Sequence, residues 1–110
     1  MASILVFVTV ASKKEAKKIM GILLDQHLIA CANLLGPVES QFWWKGIIDE
    51  AREYMVVMKS DDKLFKKLSE TIKQVHSYEV PEILAVQIVK GWQPYLRWLN
   101  ATLKPALVKE

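Results

Sequence analysis

The side chains able to ligate a metal or carry out covalent chemistry are few. There is one cysteine, Cys31, and there are two histidines, His27 and His76. Glu79 and Glu82 lie just after His76, around Tyr78 and Pro81. A thiolate with imidazoles suits copper or zinc, yet no CxxC, HxxxH or HExxH spacing is present. In an apolar run, Cys31 also reads as a small buried hydrophobe. A Cys-His nucleophilic pair is disfavoured because an apolar setting leaves a thiol inert. The segment His76-Ser77-Tyr78-Glu79-Val80-Pro81-Glu82 is the densest polar cluster. It reads either as a loop carrying a site or as a helix C-terminus capped by His76. No glycine-rich phosphate loop exists, since Gly21, Gly36, Gly46 and Gly91 are isolated.

The elements that must position these residues follow from periodicity. Residues 3–10 are β-branched and aromatic, apolar on both faces, as in a central strand. Ser12 and Glu15 form a capping box for a helix ending near Gln26 or His27. Its apolar face is Ala16, Ile19, Met20, Leu23 and Leu24, and its outer face carries Lys13, Lys14, Lys17 and Lys18. Residues 29–35 form a second strand, with a bend or bulge at Gly36-Pro37. Lys45-Gly46 turns a hairpin after Trp43-Trp44, and residues 47–59 return. Ser60 or Asp61 caps a second helix facing inward through Leu64, Phe65, Leu68, Ile72 and Val75. Residues 82–89 form a last strand. Pro94 then sits in the first turn of a third helix, which Lys104-Pro105 should end.

This order predicts an α+β fold, a ferredoxin-like βαββαβ sandwich with an extra C-terminal helix, as one domain over residues 1–110. Two helices cover one sheet face; the other face is apolar and bare, so a partner is expected. Thirteen residues of return strand span roughly 43 Å at about 3.3 Å each. A compact chain of this length has a diameter of roughly 35 Å. The hairpin therefore reaches past its own core, with Trp43 and Trp44 at the tip as an interface.

Composition excludes other classes. With 110 residues, 52% hydrophobic and 25% charged, the chain is globular in type and not disordered. The net charge of +3 is a weak excess. The lysines read as solvated helix faces, so no nucleic-acid partner is expected. No apolar run is long enough to span a bilayer, so no membrane partner is expected. The opening residues read as a strand and not a signal peptide, and a single cysteine fits a reducing compartment, so a cytoplasmic protein is expected.

Four motifs in order resemble the CutA family of divalent-cation tolerance proteins. They are Leu28-Ile29-Ala30-Cys31-Ala32-Asn33, Trp43-Trp44-Lys45-Gly46, His76-Ser77-Tyr78-Glu79-Val80-Pro81-Glu82-Ile83 and Tyr95-Leu96-Arg97-Trp98-Leu99. The similarity runs from about Ile4 to Leu103. The resemblance implies a PII-like homotrimer whose hairpins pair between subunits, a role in tolerance of copper or other divalent cations, no organic cofactor and no established catalysis. It implies metal-ligand candidates at Cys31, His76 and Glu79, and an intersubunit cleft with Tyr78 and Glu82. It also implies a trimer interface including Trp43 and Trp44. Ser77 replaces the family's usual proline. Where some members have a proposed copper site of one cysteine and two histidines, this chain has Val8, Val75 and His76, of which only His76 can ligate. The competing expectation is a PII-like adaptor with a small molecule or protein in the cleft.

Overall fold

The computed structural model describes residues 2–109. The elements run β1 (Ser3–Val10), α1 (Lys13–Asp25), β2 (Cys31–Trp44), β3 (Ile47–Asp61), a 3-10 turn (Asp62–Leu64), α2 (Phe65–Val75), β4 (Ile83–Gln87) and α3 (Gln93–Leu107). The four strands form one sheet in the order β2-β3-β1-β4, with every neighbouring pair antiparallel. None of the described helices is long and apolar enough to cross a membrane.

Alternation along β1 sorts the sheet into two faces. Ile4, Val6, Val8 and Val10 are buried and join Val56 and Met58 of β3 in the core. Ala16, Ile19 and Leu23 of α1, Leu68 and Ile72 of α2, and Leu99 and Leu103 of α3 close that core. The opposite face runs in cross-strand rows: Asn33, Val57, Phe7 and Leu84, then Cys31, Lys59, Leu5 and Val86. Leu84 and Val86 remain 58% and 49% exposed, and Leu35 on the same face is 48% exposed. This is the bare apolar face that the sequence predicts.

Helix α1 begins where Ser12 Oγ accepts the Glu15 N–H at 3.1 Å. The expected capping box forms only in this half. The Glu15 carboxylate does not turn back but accepts the Ser77 N–H (2.8 Å) and Ser77 Oγ–H (2.9 Å). The helix ends with His27 in the left-handed region at φ 57°. There the Leu28 N–H bonds the Leu23 carbonyl and the His27 N–H bonds the Leu24 carbonyl, a Schellman closure.

The β2-β3 hairpin sets the long dimension of the molecule, 44 × 27 × 23 Å. Lys45 and Gly46 both have positive φ, 51° and 82°, as a two-residue hairpin turn requires. The register slips between Leu35 and Val38, which places the expected bulge at Gly36-Pro37. Gly36 has φ +147°, and a Cβ there would lie 2.6 Å from Tyr54 Cδ2, so no other residue fits unstrained.

Several boundaries depart from the sequence reading: β2 starts at Cys31 and not at residue 29, β3 runs on to Asp61, and Asp61 caps the 3-10 turn through the Lys63 N–H while α2 itself has no side-chain cap. β4 covers only 83–87. Helix α3 passes through Pro105 to Leu107. Proline this close to a C-terminus removes one bond, and Ala106, buried in the core, with the Val108 N–H on the Lys104 carbonyl, carries the last turn past it.

Candidate functional site

The cleft lies between the hairpin and the loop that follows α2. Helix α2 stops at His76, where the backbone turns extended (φ −80°, ψ 140°). The His76 side chain is fully enclosed. Its Nδ1 accepts the Tyr78 N–H at 3.0 Å, which requires that nitrogen to be unprotonated. Nε2–H therefore donates to the Thr9 carbonyl of β1 at 2.8 Å. Both ring nitrogens are thus committed to backbone groups, which ties the loop to the centre of the sheet.

Tyr78 leans on the His76 ring, centroid to centroid 4.8 Å, and its hydroxyl donates to Glu53 Oε2 at 2.7 Å. Glu53 is only 6% exposed. Burial is the first cause that pushes the Tyr78 hydroxyl well above the ordinary tyrosine range. The hydrogen bond to Glu53 and the charges of Glu53 and Glu15 add to it. The neutral phenol is therefore the form that bridges loop to hairpin.

In front of this bridge opens a groove of about 800 Å³. Carboxylates from Glu39, Asp49, Glu50, Glu53, Glu79 and Glu82 line it, with Phe42, Trp44 and Tyr78 as its aromatic walls. No lysine, arginine or histidine is among the lining residues. Glu79, Tyr78 and Glu82, all expected from the sequence, do meet here. Trp44 also faces the groove, whereas Trp43 stands 72% exposed near the tip.

The structure does not assemble the metal set Cys31, His76 and Glu79 within one chain. Cys31 is level with Lys59 and Leu5. Thr9, which His76 contacts, is four residues farther along β1, roughly 13 Å away, and two strand spacings, roughly 10 Å, across. No group of three His, Cys, Asp or Glu able to hold an ion occurs among the described residues. Cys31 instead pairs with Tyr95 of α3, Sγ to Oη 3.4 Å. That hydrogen bond, with burial second, pushes the Tyr95 hydroxyl up to about 12. His27, the remaining imidazole, donates from Nδ1 to the Thr102 carbonyl at 2.9 Å and so holds α3 to the end of α1.

The sequence reading missed Glu15 and Glu53 as parts of this site. Glu15 reads there as a local cap and nothing more. Glu53 carried one available signal, a carboxylate in a strand that is otherwise apolar from Tyr54 to Met58.

Fold and cleft together define a class: a small α+β protein with one overlong hairpin, a bare sheet face and an acidic groove. The chain belongs to the family described as CutA1 divalent ion tolerance protein, whose model matches residues 4–102. It is 34% identical over 99 residues to the divalent-cation tolerance protein CutA of Archaeoglobus fulgidus, covering 90% of this chain and 96% of that one. It is 37% identical over 98 residues to the chloroplastic protein CutA 1 of Oryza sativa subsp. japonica. That match covers 89% of this chain but 55% of the rice protein, so the chain spans about half the length of that relative. Among solved structures, CutA1 from Oryza sativa superposes with a TM-score of 0.90 at 35% identity, covering 93% of this chain and 94% of that one. The divalent cation tolerance protein of Thermus thermophilus gives 0.89 at 35% identity, covering 91% and 97%.

Proposed function

We propose that this protein acts in tolerance of divalent cations as a homotrimer of ferredoxin-like subunits, without catalysis of its own. Membership of the CutA1 family over residues 4–102 is the observation that carries the reading. The strand order β2-β3-β1-β4 supports the ferredoxin-like assignment. The bare face of Leu5, Phe7, Met55, Val57, Leu84 and Val86 and the exposed tip residues Trp43, Ile47 and Ile48 support assembly.

The groove supports cation uptake of a particular kind. Six carboxylates with no basic residue among them attract a dication, and oxygen donors suit hard ions. Without three ligands in place, that uptake is weak. Copper, if held tightly, would instead use the soft thiol of Cys31. The test is calorimetric titration of the intact protein with Cu(II), Zn(II) and Mn(II), with molar mass by light scattering on the same sample. Weak Mn(II) and Zn(II) binding by a trimer-sized particle, lost in E50Q/E79Q, supports the groove. Tight Cu(II) binding lost only in Cys31→Ala moves the site to the thiol. A particle that binds none of the three removes direct cation binding from the reading.

A further inference from the structure

The carboxylates of the groove are spread along its length. Asp49, Ala51 and Glu53 alternate onto one face of β3, and across the register they meet Phe42, Ser40 and Val38 of β2. Asp49 and Glu53 thus stand four residues apart, roughly 13 Å at about 3.3 Å each. The pair between them, Ala51 and Ser40, is small, and both residues line the groove. Each end also has a ring. Phe42 is directly opposite Asp49, and Tyr78 is hydrogen-bonded to Glu53. The hairpin side of the groove is therefore a trough with an anion and an aromatic at either end, and Glu79 and Glu82 face it from the loop.

Glu53 is the independent sign that a cation belongs here. It is 6% exposed and lines the groove. Its Oε2 takes the Tyr78 hydroxyl, but no described group donates to its Oε1. Among the described residues, no lysine, arginine or histidine pairs with it. Arg52, next to it in sequence, alternates onto the opposite face of β3, level with Glu39. A carboxylate taken out of water without a countercharge is costly, and the groove is the side from which one can reach it. At the other end, Asp49 Oδ1 accepts the Glu50 N–H at 2.8 Å, and Oδ2 has no described donor.

We propose that the groove binds a linear aliphatic polyamine, with one ammonium at Glu53 and Tyr78, another at Asp49 and Phe42, and the methylene chain over Ala51 and Ser40. This rests on the groove being a cation site, as proposed above, and names an organic cation as its ligand. A hard metal dication needs several oxygens within about 2.0–2.6 Å of one point, and no group of three ligands that could hold an ion occurs among the described residues. An ammonium needs only one or two acceptors and gains from the face of a ring. Charges set apart on a thin apolar chain match carboxylates set apart on a floor of small residues. An extended chain advances about 1.25 Å per bond. Ammonium groups joined by eight methylenes therefore lie about 11 Å apart, within reach of two carboxylates whose Cα atoms are roughly 13 Å apart.

The test is calorimetric titration of the full-length protein, in its native assembly and at one ionic strength, with 1,8-diaminooctane, 1,3-diaminopropane and 1-aminooctane, and with Mn(II) in parallel. The short diamine has the charge of the long one, and the monoamine has its chain. Only the long diamine places a charge at each end, so it should bind about tenfold more tightly than either, the worth of one hydrogen bond to a charged group. The Tyr78 ring and Asp49 amide signals in NMR should both shift as it binds. Asp49→Asn, at an exposed position where the amide oxygen can still accept the Glu50 N–H, should bring the long diamine down to the level of the monoamine. Equal affinity of the two diamines would reduce the groove to a diffuse negative field and overturn the proposal. Equal affinity of the long diamine and the monoamine, an Asp49→Asn variant without effect, or no amine bound at all would do the same. Mn(II) bound with no amine bound leaves metal uptake standing and refutes the polyamine. Amine bound in the predicted order with no Mn(II) bound keeps the polyamine and removes metal uptake.

Discussion

Replacing Tyr78 by phenylalanine removes one oxygen and should cost this protein more than its part-exposed ring suggests. The hydroxyl donates at 2.7 Å to a carboxylate that is 6% exposed. A hydrogen bond to a charged group contributes about 1.5–3 kcal/mol net. Tyr78 keeps some access to solvent, which brings the expectation to about 1–2 kcal/mol. The energy belongs to a pair of side chains, so the assay is a double-mutant cycle of Tyr78→Phe and Glu53→Gln by urea unfolding at fixed protein concentration. Glutamine at 53 still accepts the phenol but carries no charge to strand. Tyr78→Phe should therefore cost about 1 kcal/mol less in the glutamine background than in the wild type. A cycle that closes to within about 0.3 kcal/mol would refute the bridge as an energetic link between loop and hairpin.

Three further outcomes are expected. Gly36→Ala should destabilise by about 1–3 kcal/mol in thermal unfolding, because φ +147° is strained for a side chain and its Cβ meets Tyr54 at 2.6 Å. Changing both Trp43 and Trp44 to Ser should lower the molar mass by light scattering and the melting temperature together, whereas unchanged values would remove the tip from the interface. Alkaline titration followed by tyrosinate absorbance should show a late step near 12 that Tyr95→Phe abolishes. Since folding raises that group above its ordinary value near 10, its contribution to stability is complete below about pH 10. It is lost as pH rises through about 12.

What the sequence made legible was whatever rests on local pattern. The unbroken run of β-branched and apolar residues in 3–10, the helical spacing from Ala16 to Leu24 and the Lys45-Gly46 turn each point to one conformation, and each element formed. The bare face was legible too, because Leu5, Phe7, Leu84 and Val86 cannot all be satisfied by helices on one side. What escaped was long-range pairing. Glu15 satisfies a local cap and a contact 62 residues away equally well on paper, and only the folded chain brings it to Ser77. Cys31 and His76 look like one ligand set when only the donor types are compared. The sheet register separates them, and the hydrogen bonds of His76 show it to be a structural clamp. Pro105 misled because the cost of one missing N–H is small beside the burial of Ala106.

Strand β2 lies at the border of the sheet and runs for fourteen residues, bonded to β3 on one side. Border strands of folded proteins are usually short, charged or covered, since their free N–H and C=O groups invite any passing strand. Here the far half of the border carries Phe42, Trp43 and Trp44. A newly made chain is therefore a template before it is a finished protein. In the homotrimer proposed above, docking of the right strand and exclusion of the wrong one would be the same event, and speed of assembly after synthesis would matter as much as final affinity.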